Sequence, residues 1–145
     1  MFAKRFGLTI ASCAAAVGFA GCVTTHGNLT SSADRLERSA VELQRDARDD
    51  GSSGYYRDAQ AFVNETHDFR RTLDDRRADH NDLQDAWRDL SGRYHALRDE
   101  VERSHDRNAE VDFKPVTEAY LDVEREMRRV GDHDRYARDQ DLQTQ

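Results

Sequence analysis

The chain is poor in the residues that interrupt or cross-link a fold. It has a single proline, Pro115, and eight glycines in 145 residues, so little stands in the way of long helices. Lysine is almost missing: Lys4 and Lys114 are the only two, and arginine carries the rest of the positive charge. Two cysteines, Cys13 and Cys22, are too few for a disulfide framework. Long hydrophobic runs are also absent. The most apolar stretch, Phe6 to Phe19, is broken by Gly, Ser and Thr and falls short of the ~20 apolar residues of a spanning helix. There is no Gly-x-Ser-x-Gly and no glycine-rich phosphate loop, which removes the usual signatures of serine hydrolases and nucleotide enzymes. No segment alternates with period two, so no strand is expected.

What remains is mostly charge. Asp, Glu, Lys and Arg make up 35% of the chain and the mean hydropathy is −0.97. Composition this polar borders on disorder, and only well-placed apolar residues sustain a fold. The net charge is −7, which argues against nucleic acid and against lying on an anionic membrane face.

The N-terminus has its own pattern. Lys4 and Arg5 open the chain, the apolar stretch follows, and it ends in Phe19-Ala20-Gly21-Cys22. A basic start, a short apolar segment and small residues before a cut form a secretory signal. Ala20-Gly21-Cys22 resembles the lipobox of bacterial lipoproteins, with Phe19 where that family usually has leucine. The resemblance covers residues 1–22 only. It implies a diacylglycerol thioether on Cys22, cleavage before it, and acylation of the freed amine by palmitate or a similar chain. Each buried methylene contributes roughly 0.8 kcal/mol, so two or more chains hold a protein in the bilayer almost permanently. Val23, where an aspartate often marks inner-membrane retention in that family, points to the outer membrane, facing the periplasm. Cys13 leaves with the signal, so no cysteine pair remains. Residues 23–32 are polar and unpatterned and read as part of a tether over 22–32, with a reach of roughly 35 Å.

Behind Ser31 and Ser32, two candidate caps, Ala33, Leu36, Ala40, Leu43 and Ala47 recur in steps of three and four, which is one helical stripe. Three of its five members are alanine, so it packs weakly alone and would gain from a partner helix. Gly51-Ser52-Ser53-Gly54 marks a turn. A second stripe runs Ala59, Phe62, Thr66, Phe69, Leu73, and continues in phase through polar Arg76 and His80 to Leu83, Trp87, Leu90, Tyr94, Leu97 and Val101. The polar interruption, with Asn81 and Gln84 spaced as a capping box, places a turn near Asp79 to Asn81. One unbroken helix is the alternative. Asp106 to Asp112 has no period and ends the third segment. Pro115 suits the first turn of a fourth, with Val116, Tyr120, Val123, Met127 and Val130 as its stripe and Gly131 as its end. The expected architecture is all-α: an antiparallel bundle of three to four helices over residues 33–137 with a frayed tail at 138–145, or alternatively a long coiled-coil hairpin. Off the stripes, pairs such as Asp34 with Arg38, Asp99 with Arg103 and Glu124 with Arg128 each favour helix by about 0.3–0.5 kcal/mol.

Six histidines raise the question of a metal. Glu102 and His105 match the Glu-x-x-His spacing of di-iron bundles, but no second such motif exists. His95 with Asp99, and Asp132-His133-Asp134, offer two or three ligands on one face, seldom a specific site. His80 falls on the interrupted stripe, at the expected turn. Tyr55, Tyr56 and Tyr136 lie at helix ends, where they can meet a partner. Ser39, Ser91 and Ser104 fall within helices, which rarely present a strained nucleophile. The sequence therefore predicts no catalytic residue, no cofactor and no metal, with Cys22 as the one modified site. It points to a non-enzymatic lipoprotein that contacts the bilayer through Cys22 and binds another protein, or itself, through a helical face. A ligand- or metal-binding, stress-sensing helical module is the alternative.

Overall fold

The computed structural model describes residues 20–49, 51 and 53–143. They form four α-helices: α1 Ala20–Asp49, α2 Ser53–Asp74, α3 His80–Ser104 and α4 Arg107–Gln143, and no strand occurs among them. Residues 1–19, which hold nearly all of the expected signal segment, lie outside the described residues, as do Asp50 and Ser52.

The helices are antiparallel neighbours. Asp34 of α1 meets Arg70 of α2 while Glu37 meets His67, so partner numbers fall on one helix as they rise on the other. Phe62 with Tyr94 and Phe69 with Trp87 do the same between α2 and α3. α1 packs against α2 and α4, and α3 packs against α2, closing an all-α bundle. The chain turns back over residues 75–79, so the second stripe is two helices and the unbroken rod is excluded.

Burial follows the stripes. Ala33, Leu36, Ala40, Leu43 and Ala47 are all at most 1% exposed. Ala59, Phe62, Thr66 and Phe69 are equally dry, as are Leu90, Leu97, Val116 and Val123 to within a percent or two. The alanines of α1 are thus consumed inside the molecule. They let α1 approach both neighbours closely, and no partner helix is needed to cover them.

Several boundaries differ from the periodicity. α1 does not start at Ser31–Ser32 but at Ala20. Leu29, four residues before Ala33, is fully buried. Burying a leucine is worth ~1.5–3 kcal/mol, more than a serine cap contributes, so the helix runs through both serines. The segment expected to form a tether is helical, and its ten residues span only ~15 Å. The capping box of α3 is Asp79 with Asp82, not Asn81 with Gln84. Asp79 Oδ1 accepts from the backbone N–H of Asn81 and Asp82 at 2.7 and 3.0 Å, and Asp82 Oδ2 accepts from the Asp79 N–H at 2.9 Å.

α4 begins eight residues before Pro115, so the proline is interior. Ala109 and Phe113, buried at 4% and 6%, extend the stripe upstream, and Asp106 Oδ1 receives the Asn108 N–H at 2.9 Å. Pro115 lacks an N–H and leaves the Val111 carbonyl without its helical donor. Both residues are exposed, on the solvent side of α4. Gly131 does not stop α4, and the helix continues through the segment expected to fray, as far as Gln143.

Candidate functional site

The predicted lipidation residue, Cys22, falls in the first turn of α1; its side chain lies outside the described residues. From there the helix leads without a break to buried Leu29. Among the described residues no helix is long and apolar enough to cross a membrane.

The candidate metal ligands of α3 do not converge. Glu102 pairs with Arg98 at 3.5 Å, and Asp99 with the same guanidinium at 3.2 Å. His95 stands edge-on to the rings of Tyr94 and Tyr120. His105 is the left-handed C-cap of α3, with φ 50° and ψ 25°. Asp132 is exposed, and the side chains of His133 and Asp134 lie outside the described residues. No group of three His, Cys, Asp or Glu among the described residues is placed to hold an ion. His80 is the first residue of α3 and lines a cleft of about 240 Å³ at the α2–α3 turn with Asp75 and Asp79.

The hydroxyls of Thr66, Ser91 and Ser104 are engaged in structural hydrogen bonds. Thr66 Oγ1 donates to the Val63 carbonyl at 2.7 Å, and Ser104 Oγ to the Val101 carbonyl at 2.7 Å. Ser91 Oγ accepts from the Tyr120 hydroxyl at 3.1 Å. Burial holds the Tyr120 phenol above its ordinary value near 10, with Glu124 and Tyr94 adding and the Ser91 hydrogen bond opposing. It therefore stays a neutral donor at physiological pH.

The α3–α4 seam is built differently from the other three. Their backbones approach least, and stacked rings fill the space. Tyr94 and Tyr120 lie face to face at 3.7 Å, Trp87 stacks on Tyr120 at 5.2 Å, and Phe113 stacks on Tyr94 at 5.6 Å. Such pairs add about 0.5–1.5 kcal/mol each beyond their buried area. Where the ladder ends, Trp87, Met127, Gln84 and Gly131 border an open cleft of about 340 Å³. Tyr55, expected to be available to a partner, is buried at 4%, because its position falls one turn before Ala59 on the core side of α2. Tyr56 is half-buried, and the side chain of Tyr136 lies outside the described residues.

Sequence reading missed Glu126. It is 7% exposed on α4, and its Oε1 accepts from Arg129 at 2.7 Å. The available signal was its place beside Met127 and Val123, but a carboxylate there reads as surface until the neighbouring helix is known. Asp34 was expected to pair along its own helix with Arg38. It pairs instead across the α1–α2 seam with Arg70 at 2.6 Å.

Comparison of the chain with protein-family models, with curated proteins and with solved structures finds no match.

Proposed function

We propose that this chain is a non-enzymatic, lipid-anchored protein of the bacterial envelope. It is held through Cys22, in the outer membrane facing the periplasm, and its helical body binds a protein partner or a second copy of itself. The observation that carries this reading is Phe19-Ala20-Gly21-Cys22 behind a basic and then apolar N-terminus. The helical course of α1 from the first residues after Cys22 supports a further point. With the tether folded into α1, the body stands within roughly one or two helical turns of its anchor rather than at the end of a 35 Å leash. The Ala-rich stripe no longer motivates a partner helix, since the bundle covers it. Among the described residues the large apolar side chains left exposed are Val111 and Leu121, both on α4.

Metabolic labelling with a fatty acid tests the anchor. The wild-type chain is expected to take label and to be shortened by its signal. Cys22→Ala has no thiol to accept diacylglycerol and is expected to remain unlabelled and uncleaved. Label retained in Cys22→Ala overturns the reading.

A further inference from the structure

The outer seam between α1 and α2 changes character along its length. Near the α2–α3 turn it is neutralised: Asp34 meets Arg70 and Glu37 meets His67 at 2.6 and 2.9 Å. Past Val41 the helical repeat of α1 brings Arg45 and Arg48 to the seam, and α2 answers with Tyr56 in place of a carboxylate. Val41, Gln44, Arg45, Arg48 and Tyr56 line a cleft of about 230 Å³ there. None of the five is acidic. Neither arginine forms an ion pair among the described residues; Asp49, one turn beyond Arg45, is not bonded to it. By contrast, Arg70, Arg71, Arg88, Arg93, Arg98, Arg103, Arg125, Arg128 and Arg129 each engage a carboxylate. Arg38, Arg57, Arg76, Arg77 and Arg107 also lie outside the ion pairs among the described residues, but in a chain of net charge −7 Arg45 and Arg48 share one concavity with no carboxylate in its lining.

Two further features act in the same direction. The cleft lies at the N-terminal end of α2, whose first turn carries no acidic residue, so no carboxylate of that turn opposes the positive end of its dipole. Tyr56 and Val41 pack against the core and supply a fixed, partly apolar wall. Guanidinium forks match the oxygens of phosphate in pairs and hold them by charge-assisted bonds. The volume is below the ~300 Å³ at which sites for drug-sized ligands begin, so it suits a head group with a small body.

We propose that the Arg45–Arg48 cleft is a phosphate-ester site, in which the two guanidinium groups take the phosphate oxygens and Tyr56 with Val41 contacts the esterified body. The site stands on its own geometry and does not depend on lipid at Cys22. The shared chemistry is a phosphate monoester, whether free in solution or on a lipid.

Calorimetry on the full chain in detergent tests this, with phenyl phosphate and inorganic phosphate as probes and phosphatidic acid vesicles as a separate arm. Phenyl phosphate is expected to bind saturably and more tightly than inorganic phosphate, and Tyr56→Ala is expected to remove the difference. Arg45→Gln with Arg48→Gln is expected to weaken binding about tenfold to a hundredfold, the range of one or two charge-assisted hydrogen bonds. The control pair Arg71→Gln with Arg88→Gln makes the same change in net charge on other faces and is expected to bind as wild type; circular dichroism checks that both double variants stay helical. Pair-dependent binding to the vesicles but not to phenyl phosphate assigns the same site to a lipid head group. Absence of saturable binding in both arms overturns the proposal. So does binding that survives loss of Arg45 and Arg48, or that falls equally in the control pair.

Discussion

Glu65, on the α2 face turned to α3, carries a carboxyl held above its ordinary value near 4.5. Burial is the main cause; Asp89 and Asp68 add to it, and Arg93 opposes it. The folded state therefore holds this proton more tightly than the unfolded chain, and ionising Glu65 opposes folding. Its favourable contribution is complete below the ordinary carboxylate range and is lost as pH rises through the raised value. Glu65→Gln cannot ionise and is expected to melt higher than wild type at neutral pH. The gap should close as pH falls to about 4, where both side chains are neutral. Its partner Arg93, 4.0 Å away and largely exposed, loses little in the exchange. A gap independent of pH across that range would show that the charge of Glu65 is not the cause. His105 is the other residue held against its preference. It sits at φ 50°, a left-handed conformation that costs a non-glycine residue about 1 kcal/mol. His105→Gly is expected to stabilise the fold by roughly 0.5–1 kcal/mol, read as a raised urea midpoint at constant slope. Gly51, at φ 70° between α1 and α2, already uses the residue that its turn requires. That glycine was legible in the sequence as a turn signal. The strain at His105 was not, because histidine gives no hint of the cap geometry that the last turn of α3 imposes.

At the scale of the element, α4 shows how tertiary packing overrides a local signal. Proline favours the first turn of a helix, and read alone Pro115 announces a start. Burial of Ala109 and Phe113 places the start at Arg107 instead, since an aromatic buried against the stacked rings outweighs the loss of one backbone hydrogen bond. The cost remains, so Pro115→Ala is expected to raise stability by up to about 3 kcal/mol. Thermal unfolding by circular dichroism checks this; an unchanged or lower melting temperature would mean that the helix bends at Pro115 to a useful packing. The interior turn between α2 and α3 was legible because polar Arg76 and His80 break an apolar stripe. Its register was not. Asp79 with Asp82 and Asn81 with Gln84 have equivalent spacing, and the first pair wins because it satisfies the N–H groups nearest the point where the chain leaves the turn.

For the molecule as a whole, the alanines of α1 set the spacing of the bundle. Ala40 is fully buried on the helix that lies close to both α2 and α4. A larger side chain there must push one of them away, so Ala40→Leu is expected to destabilise by about 1–3 kcal/mol in chemical unfolding. If Ala40→Leu were neutral or stabilising, α1 would have to sit more loosely than its burial indicates. The sequence alone determined the helical class and most of the core, because those follow from which faces are apolar at a period of 3.6; it left three or four helices open and placed the return near residues 79–81, where the structure has four helices and turns over 75–79. It also carries the lipobox resemblance, which is local in the chain and owes nothing to folding. Only the tertiary structure decided what each face meets. Alanine at one position reads as weak packing in isolation and as close approach once two helices lie against it. Asp34 reads as the partner of Arg38 until Arg70 is brought beside it, and Arg45 and Arg48 read as ordinary surface charge until α2 is found to offer them no carboxylate. Periodicity reports the direction in which a side chain points from its own helix axis. The identity of the neighbour in that direction depends on residues far away in the chain, and it is set by how four helices share one core.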